Sequence, residues 1–139
     1  FPILKEEFMK LLSVALIVLS IILALVLTGH IKTFIDLPSL LVVILPVLAS
    51  IPARHGLEGF KILLNSGDER KEVLHSMGAT GVISGVLGSH IGVVIILGNM
   101  SEPDSLGPAL AVSLLPTFYG LFIFLLTTVI SHLNLGNEL

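Results

Sequence analysis

Few side chains in this 139-residue sequence have the chemistry to move protons or ions. His90 is the only ionisable side chain deep in an apolar segment, and an imidazole exchanges protons near neutral pH. Ser89, directly before it, and Thr117, in a different apolar segment, supply hydroxyl oxygens. Such oxygens can ligate a hard cation or relay a proton. They can equally donate to a backbone carbonyl one turn back, a common fate of Ser and Thr in membrane helices. His90 likewise has two readings, a titrating group or a neutral packing residue, and residue type alone leaves both open. Ser89 and His90 are consecutive, so on a helix they point about 100° apart and cannot form a nucleophile–base dyad. His132 lies at the end of the last apolar segment, at the wrong depth for either. No enzymatic activity is therefore expected. His30, His55, His75 and His132 have no ligand-like spacing, so neither a metal site nor a cofactor is expected. The absence of Cys removes thiolate nucleophiles, disulfides and Cys-ligated metals.

The elements that position these residues are set by composition. Only 12% of residues are charged and 54% are hydrophobic, against roughly a quarter charged in soluble domains. The blocks 11–31, 37–53, 73–101 and 105–137 contain no Asp, Glu, Lys or Arg. A bilayer span takes about 20 mostly apolar residues, so the chain reads as an all-α polytopic membrane protein with four transmembrane helices. The segments do not alternate as β-barrel strands would. The seven basic residues are too scattered for nucleic-acid binding.

Residues 1–139 form a single membrane domain, with spans expected at about 11–28, 34–53, 77–98 and 108–131. The amphipathic lead-in 1–10 precedes a first span that reads as a retained helix rather than a signal peptide. Phe1 suggests that a few leading residues are missing. Pro38 suits a first helical turn, Pro46 a kink and Pro52 an exit. The short connection 54–76 is expected to hold an amphipathic helix around 57–64, a break at Asn65-Ser66-Gly67 and a turn starting at Asp68 that feeds the third span. Lys5, Lys10, Arg54, Lys61, Arg70 and Lys71 fall on one side and only Lys32 on the other. The excess places both termini and the 54–76 connection in the cytoplasm.

The spans are not equivalent. The first is Leu, Ile and Val nearly all round and is expected outermost, against lipid. The third carries Gly78, Gly81, Gly85, Gly88 and Gly92 on one face, a surface that lets helix backbones approach closely. The fourth has its own small face: Ala109, Ser113, Pro116, Thr117, Gly120, Thr127 and Ser131. These faces could pack the helices of one subunit together or meet a central partner. No span contains a carboxylate, so any acid needed for ion movement must come from a partner.

Three stretches resemble the flagellar stator A-subunits, the MotA/PomA-like branch of the MotA/TolQ/ExbB ion channel family. Gly88-Ser89-His90-Ile91-Gly92, then Leu97-Gly98-Asn99-Met100 and an acidic Pro turn, is similar to their third span and loop. Gly107-Pro108-Ala109-Leu110-Ala111-Val112-Ser113-Leu114-Leu115-Pro116-Thr117-Phe118-Tyr119-Gly120 is similar to the start of their fourth span, GPAMAVALLTTxYG. Phe34-Ile35-Asp36-Leu37-Pro38-Ser39-Leu40-Leu41-Val42-Val43 resembles their junction between spans one and two. The resemblance covers about residues 11–53 and 78–132.

The resemblance implies a subunit of the bacterial inner membrane that forms a homo-oligomer, a pentamer around a MotB-like single-span partner bearing an intramembrane Asp. Protons or sodium ions would pass between that Asp and spans three and four. The family's polar position in span three falls on Ser89, and the second residue of its span-four Thr-Thr pair on Thr117. With His90 these are the candidate ion path. Hydroxyls at both positions lean slightly toward sodium, whereas His90 would suit a proton route. Gly81, Gly85, Gly88, Gly92 and Gly120 are the candidates for close helix packing, and Pro46 and Pro116 for kinks.

Three departures stand out. Pro116 replaces the first Thr of the pair. Leu45-Pro46-Val47 replaces the Gly-Gly-Thr/Ser usual in span two. The large cytoplasmic domain that engages the rotor in the family is missing from the short 54–76 connection. The expected function is a MotA-like, ring-forming subunit of an ion-driven motor or energising complex. The alternative is a non-conducting membrane scaffold that retains the stator helices.

Overall fold

The computed structural model describes residues 2–133. Among them every element is helical, and four helical stretches are long and apolar enough to cross a membrane. Helix α1 runs over Pro2–Leu27. The expected lead-in is thus part of the same helix, since nothing after Pro2 interrupts it. Lys10 reaches Glu6 at 3.0 Å and Glu7 at 3.1 Å, one turn back on the same face. Gly29, at φ +70°, stops the helix in a left-handed conformation that favours glycine. None of the residues of α1 is buried, in accord with an outermost position.

A 3₁₀ turn at Ile31–Phe34 leads to α2, Leu37–His55. Asp36 caps it by accepting the Ser39 N–H at 2.9 Å, and Pro38 occupies the first turn, where its missing N–H costs nothing. The helix continues through Pro46 and Pro52, and buries Ser39, Val43, Val47 and Ile51, a strict four-residue repeat along one face. A 3₁₀ turn at Gly56–Glu58 carries it into α3, Gly59–Ile62. The amphipathic helix expected around 57–64 is therefore one short turn continuing α2.

Helix α4, Asp68–Gly98, begins well before the expected Met77. Asp68 and Glu69 in its first turn complement the helix dipole, and no breaker separates the polar start from the apolar span. Two helices follow, α5 over Pro103–Ser113 and α6 over Leu115–Ser131. They replace the single helix expected from Pro108 to Ser131. The break falls at Leu114, two residues before Pro116, which has no N–H to give the Val112 carbonyl. Leu114 instead turns back in a tighter bond to the Ala111 carbonyl at 3.3 Å.

Helix α4 is the centre of the bundle, with α6 on its glycine face and α2 and α5 beside it. A Cβ on Gly85 would lie 2.5 Å from the Pro116 carbonyl oxygen, and one on Gly92 2.8 Å from Ser113 Cβ. At Gly78 it would meet Thr127 Oγ1 at 2.5 Å, and at Gly88 Val42 Cγ1 at 2.7 Å. Gly81 and Gly120 pack backbone to backbone, and any side chain on Gly120 would strike the Gly81 carbonyl. The two small faces thus meet each other within one chain. Such contact lets dispersion forces act over the whole helix length, where lipid gives no hydrophobic drive.

At the end of the bundle bearing Lys61 and Lys71, Arg70 turns inward. Its Nε donates to the Leu63 carbonyl at 3.2 Å and its Nη1 to the Leu133 carbonyl at 2.9 Å. One buried guanidinium therefore joins α4 to the chain segments that follow α3 and α6.

Candidate functional site

Ser89 and Thr117, 28 positions apart, come together where α4 crosses the start of α6. Their hydroxyl oxygens are 2.7 Å apart. The Thr117 N–H, an orphan donor of the first turn of α6, points to Ser89 Oγ at 3.2 Å. Thr117 Oγ1 donates to the Gly85 carbonyl at 3.3 Å. Since Thr117 spends its proton on Gly85, Ser89 supplies the proton between the two hydroxyls. All three donors are thus satisfied, and each hydroxyl oxygen keeps one acceptor lone pair. Two adjacent oxygens in this arrangement can contribute two ligands to a hard cation or two links to a proton chain.

The close approach depends on Gly85 and Gly88, since a side chain at either would meet Pro116. Pro116 contributes by breaking the α5–α6 helix, which frees the Thr117 N–H to turn toward α4. Gly88 and Pro116 also line an open cleft of about 440 Å³, together with Ser39, Gly92, Ser113 and Asp36. The cleft walls are otherwise apolar, from Pro38, Ile95, Ile96, Ala109 and Val112.

His90 does not join this pair. It lies exposed on the far side of α4, and its Nδ1 is 2.8 Å from the Val86 carbonyl one turn back. The candidate ion-path residues therefore fall into two places: a half-buried hydroxyl pair between helices, and an imidazole on the outer face.

Tyr119 and Asp36 belong to the structure of this region although neither was expected to have a role. The Tyr119 hydroxyl donates to the Phe34 carbonyl at 2.5 Å and accepts the Asp36 N–H at 3.1 Å. Phe34 and Phe118 stack at a tilt, their ring centres 5.5 Å apart. These contacts tie α6 to the junction that starts α2. The signal in the sequence was a single hydroxyl-bearing aromatic residue in an otherwise apolar span, but its partner could not be read from local pattern.

Comparison with known proteins bears on the family of the chain. Residues 62–137 match the sequence model of the MotA/TolQ/ExbB proton channel family. "Motility protein A" of Cereibacter sphaeroides is 58% identical over 40 residues, which is 29% of this chain and 16% of that protein. "Chemotaxis protein PomA" of Vibrio alginolyticus is 42% identical over 48 residues, 34% of this chain and 19% of that protein. The matched segments thus span less than a fifth of either relative. No solved structure matches the chain significantly. The family is one of channels, not of enzymes, and four spanning helices fit a multi-pass membrane protein. Because the family match covers more than half of the sequence, the chain belongs to the MotA/TolQ/ExbB proton channel family.

Proposed function

We propose that this chain is a MotA-like subunit of an ion-driven motor or energising complex in the bacterial inner membrane. Copies of it form a ring, a pentamer, around a MotB-like single-span helix that supplies an intramembrane Asp. Both termini and the 54–76 connection face the cytoplasm. Protons or sodium ions pass between that Asp and the third and fourth spans, with the Ser89–Thr117 pair on the path and His90 on the opposite side of α4.

The observation that carries this reading is the hydroxyl pair itself: two oxygens 2.7 Å apart, each with a free lone pair, next to an open cleft. The chain has no carboxylate in its charge-free blocks, so a proton channel built from it needs an acid from elsewhere. The short connection between α2 and α4 leaves no room for a rotor-engaging domain there, and favours a driven machine other than a flagellar rotor. The test is ion flux through the gently extracted, reconstituted complex. Thr117→Val keeps the shape and removes the hydroxyl, and flux is expected to fall at least tenfold. Unchanged flux removes Thr117 from the path.

A non-conducting scaffold is the second reading. It is favoured by the small faces of α4 and α6, which are used up against each other, and by the internal satisfaction of every donor in the hydroxyl pair. Native mass spectrometry separates the two readings. A ring with a second, Asp-containing single-span chain supports the motor; a homo-oligomer alone supports the scaffold.

A further inference from the structure

The cleft between α2, α4 and α5 runs from the helix ends toward mid-span. Val42 meets Gly88, while Asp36 and Pro38 share the cleft with Ile95 and Ile96, so α2 and α4 lie antiparallel along it. From Ile96 down to Gly88 is about 12 Å of helix. The volume, about 440 Å³, falls within the roughly 300–1,000 Å³ of small-molecule pockets.

Two polar atoms lining this space have no partner among the described residues. Ser39 is 7% exposed, yet its hydroxyl makes no hydrogen bond; only its backbone N–H is engaged, with Asp36. Asp36 uses Oδ2 for that cap and leaves Oδ1 open at the start of the helix. A buried O–H without an acceptor is unfavourable at this depth, so the cleft suits an occupant that accepts from Ser39. Ser113 offers no help, since its proton already goes to the Leu110 carbonyl. Water fits the polar end alone, because it needs about 2–4 polar partners and the deeper walls, Val112 and Pro116 among them, supply few.

The mouth carries charge of both signs. Lys32, exposed in the 3₁₀ turn that precedes α2, has no ion-pair partner among the described residues, and Asp36 follows one turn later. Ser39 lies another turn inward. From surface to depth, the sequence of groups is thus a cation and an anion, then a hydroxyl donor, then an apolar groove. An aminophospholipid presents the complement in the same order: phosphate and ammonium, ester carbonyls, acyl chain. We infer that the cleft holds one phosphatidylethanolamine molecule. Its ammonium meets Asp36 Oδ1, its phosphate faces Lys32, an ester carbonyl accepts from Ser39 Oγ, and one acyl chain lies along Gly92 and Gly88. This requires only that the chain spans a bilayer and stands apart from ion conduction.

The test is native mass spectrometry of the purified, delipidated chain in detergent. Phosphatidylethanolamine or phosphatidylglycerol with the same acyl chains is added. Phosphatidylethanolamine is expected to be retained about tenfold better, the size of one charge-assisted hydrogen bond. Asp36→Asn keeps a helix cap and removes the carboxylate, and the preference is expected to vanish in it. Ser39→Ala is expected to weaken retention of both lipids alike, since the ester is common to them. Ser13→Ala, on the exposed helix α1, should change neither. The lipid's position is read on the unsubstituted chain, so it stands even where a variant fails to fold. Phosphatidylethanolamine spin-labelled midway along one chain should broaden the methyl signals of Ile95, Ile96 and Val112 more than those of Leu16 and Leu19 on α1. Equal retention of the two lipids, or equal broadening at α1 and at the cleft, leaves only non-specific lipid and overturns the inference. A preference that survives Asp36→Asn overturns it too, as does a preference for phosphatidylglycerol, which would leave Lys32 as the only determinant.

Discussion

Ser89 on α4 caps the first turn of α6 across the helix interface, accepting the Thr117 N–H at 3.2 Å while its own hydroxyl is 2.7 Å from Thr117 Oγ1. A helix start is usually capped by the residue just before it, but here that position is Leu114, which has no side-chain acceptor. The cap is therefore supplied by another helix, and the stability of the crossing and the chemistry of the hydroxyl pair share the same atoms.

Ser89→Ala is accordingly expected to strand the Thr117 N–H and to destabilise the fold by about 1–2 kcal/mol. Thermal unfolding in detergent measures this loss. Amide exchange at Thr117 should speed up in the variant while the middle of α2 stays unchanged; equal acceleration in both would argue against a local cap.

Gly120 touches the Gly81 backbone, so Gly120→Ala forces α4 and α6 apart along their whole contact. A cost of roughly 1–3 kcal/mol is expected from overpacking. An exposed glycine with open space around it, such as Gly98, is the control. Alanine there should be neutral or slightly stabilising, because it raises helix propensity without a clash. Similar melting temperatures for the two variants would contradict the tight crossing.

Tyr119→Phe removes one hydroxyl and leaves two backbone groups, the Phe34 carbonyl and the Asp36 N–H, without their partner. The expected loss is about 1–3 kcal/mol. The start of α2 should loosen first, which limited proteolysis around residues 30–36 would detect. Resistance equal to the parent protein would mean that the Asp36 cap alone holds the junction.

Arg70 forks to the Leu63 and Leu133 carbonyls, which lie on two different segments of the chain. Arg70→Ala is expected to cost at least about 2 kcal/mol, from two lost charge-assisted bonds and a cavity. Arg70→Lys should recover less than half, since an ammonium lacks the planar fork that reaches both acceptors. Full rescue by Lys would indicate that only the charge matters.

Much of the architecture was readable from the residues in order. Charge-free blocks of sufficient length require helices, because a backbone in hydrocarbon must satisfy its own hydrogen bonds. The four spans, the all-round apolar character of α1 and the single glycine face of α4 follow from composition and periodicity along the chain. Pro116 likewise announced a distortion at its own position. Helix ends were read less well: Asp68 begins α4 and Pro2 begins α1 because polar residues extend a helix as readily as apolar ones, and hydropathy does not register them.

The pairing of faces was decided only by the tertiary structure. A stripe of glycine specifies close approach but not to what, and here its partner is α6 of the same chain. Ser89 and Thr117 lie 28 positions apart, and Tyr119 lies 83 positions from Asp36, so no local pattern links them. His90 is adjacent to Ser89 in sequence yet turns to the opposite side of the bundle. Hydrophobicity and helix period are properties of each segment, set by its own solvent and backbone. Which donor meets which acceptor depends on how several segments pack at once, and that is fixed by shape in three dimensions.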